Sequence, residues 1–477
     1  MSNGARAVFV PVLLAVGACA VMEPPPLPEG DVPQRFIGPV FDESAVWPST
    51  DWWNNFKDVE LSAFIEEVKA NNLDLANNRR NLESAQLALR EAGLARWPTP
   101  ELTIGDATSY SRTSLDGATV SRGNESDATQ LAARFTYTGI VTKPATYARD
   151  LTDYDSQLAQ AADVAMNTLG TATSTFFQLL LIRDRIVAAR QNLANAEVIG
   201  RIAQARVDAG VSVPIDALQQ QIQIEQQRTA LLSLTQSDLA ARASLAVLVG
   251  RHVQGFDIAG QTLQNVEVPR VQPGLPSELL ARRPDLYQAE MGLRGAAINV
   301  SVVRRSLFPQ INLTASATSS SFELANVLAS PGQTSASITA SLVQLLLDNG
   351  QRRRNIEQSK LSLESSLANY RRSVLGAFNE IEIALSVIQL LEEQAEVAAS
   401  SLAAAEEAFR IAEVRYREGA ADFETVLLAQ NTLFNSRNSF LDNKLQRLNA
   451  ILGFYQALGG GWAPGDIPEY WGVTAGR

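Results

Sequence analysis

The sequence predicts an α+β membrane protein made by tandem repetition, and three observations carry that prediction. The decamer RIAQARVDAG, ending at Gly210, returns as RIAEVRYREG, ending at Gly419, with five of ten positions identical and an offset of 209 residues. Internal repetition decides architecture before any single motif does. No proline interrupts the chain between Pro331 and Pro464, and Leu363, Leu367, Tyr370, Val374, Phe378 and Ile381 recur there at spacings of three and four, the mark of a long helix with one apolar stripe. Four segments of about ten residues, rich in Ser, Thr and small apolar residues, partly alternate in the manner of membrane-barrel strands.

Taken in order, the chain opens with the apolar run VFVPVLLAVGACA, too short to span a bilayer and placed like the core of a signal peptide. Residues 1–18 are therefore expected to be a signal peptide. Small residues ahead of Cys19 resemble a bacterial lipobox, which implies cleavage before Cys19, its acylation and export, and the following Ala20 favours outer-membrane sorting by the same resemblance. A plain signal peptide with an incidental cysteine is the alternative. MEPPPLPEGDVP then reads as a stiff, extended tether, so 19–50 is expected to be a lipid-anchored spacer.

The first repeat is placed at 51–260, with a helix stopping at Trp97-Pro98 and two strands, ELTIGDATSYS and LAARFTYTGIV, at about 101–141. RTSLDGATVSRGNESDATQ joins them as a polar loop, a very long helix runs to a turn near 210, and a shorter helix returns. Pro144 suggests that this long helix starts later than its counterpart or bends. The second repeat, 261–462, follows the same plan: a helix to Phe308-Pro309, strands INLTASATSSS and SASITASLVQL at about 311–345, a helix from about Arg353 to Tyr416, a turn near 419 and a last helix. Residues 463–477 form a tail. Asp74/Asp285, Pro98/Pro309 and Leu102/Leu313 align at an offset of 211 and Arg228/Arg437 at 209, so a two-residue length change lies between those segments. Such changes usually fall in loops.

Candidate functional residues cluster at the ends of these elements. Trp97 and Phe308 suit a membrane interface, the alternative being aromatic rings buried at helix ends. Lys143 aligns with Arg352, and Arg353 follows; cations at a helix start oppose the macrodipole, which makes inner-leaflet phosphates a candidate partner and a solvated basic face the alternative. Gly210 and Gly419 are read as left-handed helix terminators, with Ser212, Pro214, Asp422 and Glu424 suited to the next helix N-terminus. Asp208, Asp216, Asp422 and Glu424 bring negative charge to the turns. Four strands cannot close a barrel, because small membrane barrels need about eight and an open edge in hydrocarbon costs several kcal/mol per unsatisfied group. Several chains must pool their strands.

The bulk properties remove other classes. A net charge of −11 argues against a nucleic-acid partner. His252, the only histidine, cannot build a histidine-based zinc site or a Ser-His-Asp triad and reads as a surface residue. No phosphate-binding loop, metal-ligand cluster or nucleophile-base pair is present, so neither an enzyme nor a metal or other cofactor is expected.

LLLDNGQRRRNIEQSKLSLE, RYREGAADFETVLLAQNTLFNSR and the ending ALGGGW resemble the TolC-like outer-membrane efflux proteins, nearest the lipoprotein branch that serves resistance-nodulation-division pumps. The resemblance covers the chain from about Trp52 to Trp462 and implies a homotrimer with a twelve-stranded outer-membrane barrel and a periplasmic helical tunnel. It further implies a periplasmic adaptor and an inner-membrane resistance-nodulation-division pump as partners. On this resemblance the turns form the periplasmic tip, with Gly210, Ser212, Gly419 and Asp422 at the adaptor, and Asp216, Asp422, Glu424 and Leu428 at the channel entrance. Many relatives carry aspartate where this chain has Leu428, which points to a less acidic gate. The first copy departs from the family's strand-to-helix motif, with YTGIVTKPATYARD in its place. An outlet for type I protein secretion is the alternative within the channel class, and a lipid-tethered coiled-coil scaffold the alternative outside it.

Overall fold

A computed structural model describes residues 23–26, 33, 48–112, 123–259, 262–269, 281–321 and 333–464. Cys19 and the expected signal peptide, most of the tether and nearly all of the tail lie outside the described residues. The described elements run α1 (Val59–Asn71), α2 (Leu73–Leu94), β1 (Thr99–Arg112), β2 (Gly123–Tyr137), α3 (Lys143–Asp208), α4 (Pro214–Leu248), α5 (Pro284–Arg305), β3 (Gln310–Ser321), β4 (Gln333–Val343), α6 (Gln351–Arg417) and α7 (Phe423–Ala457). Two compact units divide them.

One unit holds Ser84–Ser156 and Ala289–Tyr370. Its four strands form one antiparallel sheet in the order β1-β2-β3-β4. Both helices that lead into strands stop three residues before the aromatic-proline step, and Trp97 and Phe308 close the last turn by donating their N–H to the carbonyls of Leu94 and Arg305. Pro98 and Pro309 then exclude helical geometry for the residue before them. Two expectations need correction. β2 begins at Gly123 and ends at Tyr137, where the sequence placed a strand at 131–141 and a loop through 130; pairing with β1 along fourteen residues outweighs the polar composition of GNESDATQ. Nor does α3 start late: Pro144 is its second residue, where a missing N–H costs nothing because helix-start N–H groups have no intrahelical partner.

The other unit holds Gln157–Gln288, the described residues from 371 to 464 and residues 48–83. Its core is assembled from aromatic residues of the segment before α1, the middle of α3 and the end of α7: Trp52, Phe56, Phe176, Phe177 and Tyr455 are buried and meet edge to face or tilted at ring separations of 5.1–6.4 Å. Trp462 of ALGGGW is buried against Tyr287 at 5.5 Å. Each long helix is clamped to its return helix by a repeated ion pair, Arg228–Glu197 at 3.4 Å and Arg437–Glu406 at 3.3 Å, both partners shifted by 209 residues.

Candidate functional site

The sheet has two chemically distinct faces. Directly paired residues of neighbouring strands point to the same side, and successive residues of one strand to opposite sides. The register therefore puts Leu102, Ala133, Ala317 and Ala336 in one row and Pro100, Phe135, Ala315 and Ile338 in the next row on the same face. The intervening rows face the other way. They read Thr99-Thr136-Thr314-Thr339 and Glu101-Arg134-Ser316-Ser337. An apolar face and a hydroxyl-lined face, with strands of eleven to fifteen residues, are the two surfaces of a membrane-barrel wall: hydrocarbon outside, water inside. β1 and β4 are the sheet's edges, with no further strand beside them among the described residues.

At the junction with the helices, Trp97 and Phe308 are 72% and 49% exposed rather than buried. The basic residues there prove to be partnered to different degrees. Lys143 Nζ sits 4.4 Å from the centre of the Tyr137 ring, and Arg352 pairs with Asp348 and donates to the Leu345 carbonyl at 2.7 Å. Asp348 in turn accepts from the backbone N–H groups of Gly350 and Arg352, which answers how a helix start tolerates these cations. Arg353 is exposed with no side-chain partner among the described residues.

The two helical turns share one backbone design and differ in chemistry. Gly210 and Gly419 have φ of +74° and +75°, the left-handed conformation that costs other residues a Cβ clash. Val211 N–H reaches the Arg206 carbonyl at 2.9 Å and Ala420 N–H the Arg415 carbonyl at 2.7 Å, the same closure shifted by 209 residues. Beyond the turn the copies part. Asp422 caps α7 by accepting from Thr425 N–H at 2.9 Å and from its hydroxyl, and these bonds hold its carboxyl below the usual range. In the first copy Val213, not Ser212, occupies the cap position and makes no side-chain cap bond; Ser212 donates instead to Asp216. The first turn leaves Val211, Val213, Ile215 and Leu218 exposed, whereas the second buries Phe423 and Val426 and presents Asp422 and Glu424. Leu428 is 68% exposed, directed away from its own chain's core.

Some features of this region were not visible in the sequence. Arg206 stacks over the Tyr416 ring at 4.9 Å and donates to its carbonyl at 2.8 Å, tying the end of α3 to the end of α6. Gln220 and Gln430, one to two turns into α4 and α7, are fully buried. Gln220 Nε2 donates to the Ala196 carbonyl at 2.9 Å, while Gln430 has neither side-chain atom bonded among the described residues. The repeat spacing of Arg228 and Arg437 was legible, and their partners Glu197 and Glu406 could have been found by applying the same offset to acids one helix earlier.

A two-faced strand sheet on the same chain as very long helical hairpins defines an outer-membrane channel of the helical-tunnel class. The protein-family model described as outer membrane efflux protein matches residues 64–251 and 275–460, and the chain belongs to that family. The pyoverdine export outer membrane protein OpmQ of Pseudomonas aeruginosa is 30% identical over 462 residues, 95% of this chain and 96% of the relative. Outer membrane protein OprJ of the same species is 27% identical over 95% of each chain. Among solved structures, the Campylobacter jejuni CmeC outer membrane channel has a TM-score of 0.82 at 18% identity, covering 94% of this chain and 96% of that one. The open-state MtrE outer membrane channel of Neisseria gonorrhoeae has a TM-score of 0.81 at 22% identity, covering 93% and 98%. The protein is an outer-membrane efflux channel.

Proposed function

We propose that three copies of this chain pool their strands into a twelve-stranded barrel and serve as the passive exit duct of a tripartite pump for small molecules. The observation that carries this reading is the sheet with one apolar face, one hydroxyl face and two unpaired edges, since an unpaired edge cannot stand in hydrocarbon. The partners are a periplasmic adaptor docking on the turns at Gly210, Ser212, Gly419 and Asp422, and an inner-membrane resistance-nodulation-division pump. Asp216, Asp422, Glu424 and Leu428 belong to the entrance. Trp97, Phe308, Lys143, Arg352 and Arg353 lie at the inner edge of the membrane, where Arg353 is the residue most available to lipid phosphate. Two repeats, 51–260 and 261–462, follow a signal peptide at 1–18 and a tether at 19–50 anchored through acylated Cys19.

The hydroxyl-lined wall offers little discrimination, so substrate choice falls to the pump. OpmQ is named for pyoverdine export, and a soluble small molecule of that kind is compatible with such a wall. Purified protein in planar bilayers tests the duct. Stepwise conductance from a particle of three chains supports it, and a protein that stays monomeric and non-conducting refutes it. Cys19→Ser behind a cleavable signal is expected to leave outer-membrane trimers, because a closed barrel is held by its whole apolar belt.

A further inference from the structure

The hydroxyl face of the sheet carries its charge in a single row. On one side of that row stand Thr99-Thr136-Thr314-Thr339 and on the other Thr103-Ala132-Thr318-Ser335, all hydroxyls and small groups, whereas the row between them begins with Glu101 on β1 and Arg134 on β2. Among the described side chains of this face these two are the only charged ones. They are direct partners in the β1–β2 register, which sets their Cβ atoms about 4.5–5.5 Å apart on the same side. Both side chains are exposed, and neither is held by a hydrogen bond or an ion pair to another described residue. Their charges are therefore free to act on whatever passes the wall.

Side-chain length gives the row a second property. Arg134 is the longest side chain of the face, and Glu101 is longer than the threonines, serines and alanines of the two rows beside it. When copies of the sheet close into a barrel, this row becomes a ring of alternating carboxylates and guanidiniums that reaches further towards the axis than its neighbours. Rings of charged side chains set the ion preference of pores, and a low-dielectric wall focuses their field into the lumen. Here the two signs are present in equal number.

We infer that Glu101 and Arg134 form a charge-balanced constriction in the barrel, each carboxylate cancelling the guanidinium beside it, so that acidic, basic and zwitterionic solutes pass alike. A ring of Arg134 alone would hold anions and turn cations back, and a ring of Glu101 alone would do the reverse. This rests on the three-copy duct proposed above and names the row of the wall that keeps it indifferent to charge.

A thiol placed next to the ring reads its potential. Thr136→Cys lies on the same face as Arg134, two residues along β2 and so about 7 Å away. In planar bilayers, a sulfonate-bearing and a trimethylammonium-bearing methanethiosulfonate are added in turn on the side of the strand hairpins, and the fall in conductance gives the rate of each. The anionic-to-cationic rate ratio, taken against that of a free thiol in solution, cancels any change in the ionisation of the cysteine. The chain without Thr136→Cys controls for Cys19, the only native cysteine. With Glu101 and Arg134 intact the ratio should match the free thiol. Arg134→Gln should lower it by roughly threefold or more and Glu101→Gln should raise it by a similar factor, the effect of one unit charge at about 7 Å in salt water on reagents of opposite sign. The double variant and Arg134→Lys should both return it to the starting value. If either single substitution leaves the ratio unchanged, or both move it the same way, the balanced ring is wrong. A thiol that never reacts in conducting channels overturns the ring together with the assignment of this face to the lumen. Absence of conductance in every variant overturns the duct itself, whereas conducting channels with a flat ratio overturn the ring alone.

Discussion

Replacing Gln430 with leucine should stabilise the helical unit, against the usual sign of a core substitution. The amide is fully buried, and neither its nitrogen nor its oxygen has a hydrogen-bond partner among the described residues. It lies on α7 one turn after Val426 and one turn before Leu433, both members of the apolar cluster that contains Phe409, Ala412 and Tyr416. Each buried polar group without a partner costs about 1–3 kcal/mol, so two cost roughly 2–6 kcal/mol, while a side-chain swap of similar volume costs up to about 1.5 kcal/mol in repacking. The net is a gain of roughly 0.5–6 kcal/mol. Gln220 supplies the control: it keeps one bond to the Ala196 carbonyl and leaves only Oε1 unpaired, so Gln220→Leu loses about as much as it gains and should fall within about 1 kcal/mol of neutral. Denaturant titration followed by far-ultraviolet circular dichroism on the detergent-solubilised oligomer reads both. Gln430→Leu destabilising by more than about 1 kcal/mol, or matching Gln220→Leu, would falsify the reasoning, since it would mean that water or another copy satisfies that amide.

The strand faces are separable by one residue: Leu131→Arg on the apolar face should block barrel assembly, at a cost of about 2–4 kcal/mol per chain near the membrane midplane, whereas Ala132→Arg on the hydroxyl face should assemble and alter ion selectivity. Equal amounts of heat-modifiable oligomer from both would reverse or abolish the assignment. Gly419→Val strains a left-handed turn by about 1–2 kcal/mol and should leave trimer amounts normal while rendering cells drug-sensitive; unchanged efflux would remove the turn from the adaptor contact. Burial, followed by the nearby Asp285 charge, raises the Asp163 carboxyl above its usual range, so its ionised form weakens the fold at neutral pH and the penalty vanishes below the carboxylate's unfolded-state pKa. Asp163→Asn should therefore stabilise at pH 7 with a gain that fades on acidification, and a gain growing at low pH would contradict this. For Asp422, whose carboxyl is held low by the Thr425 hydroxyl and N–H, cation preference should persist into mild acid and fall in Asp422→Asn without a change in the closed fraction.

The repeat, the long helices and the turn glycines were legible in the sequence because each rests on local chemistry. A glycine after a helical run needs no distant partner to adopt a positive φ, and a 209-residue self-match needs no structure at all. The aromatic-proline steps at Trp97 and Phe308 ended their helices for the same local reason. What the sequence misjudged depended on pairing: GNESDATQ became strand because β1 supplied its hydrogen bonds, and Ser212 lost the cap position to Val213 because its hydroxyl bonds Asp216. Alternation within each strand suggested two faces, but only the register across all four strands collects Leu102, Ala133, Ala317 and Ala336 on one side. Tertiary structure alone decided which of two equivalent heptad lines is covered. Leu441 and Leu232 read alike along the chain, but α7, bonded to both α3 and α6, buries the first, whereas α4 leaves the second 72% exposed, because burial is set by the helices that lie alongside and not by the repeated sequence itself.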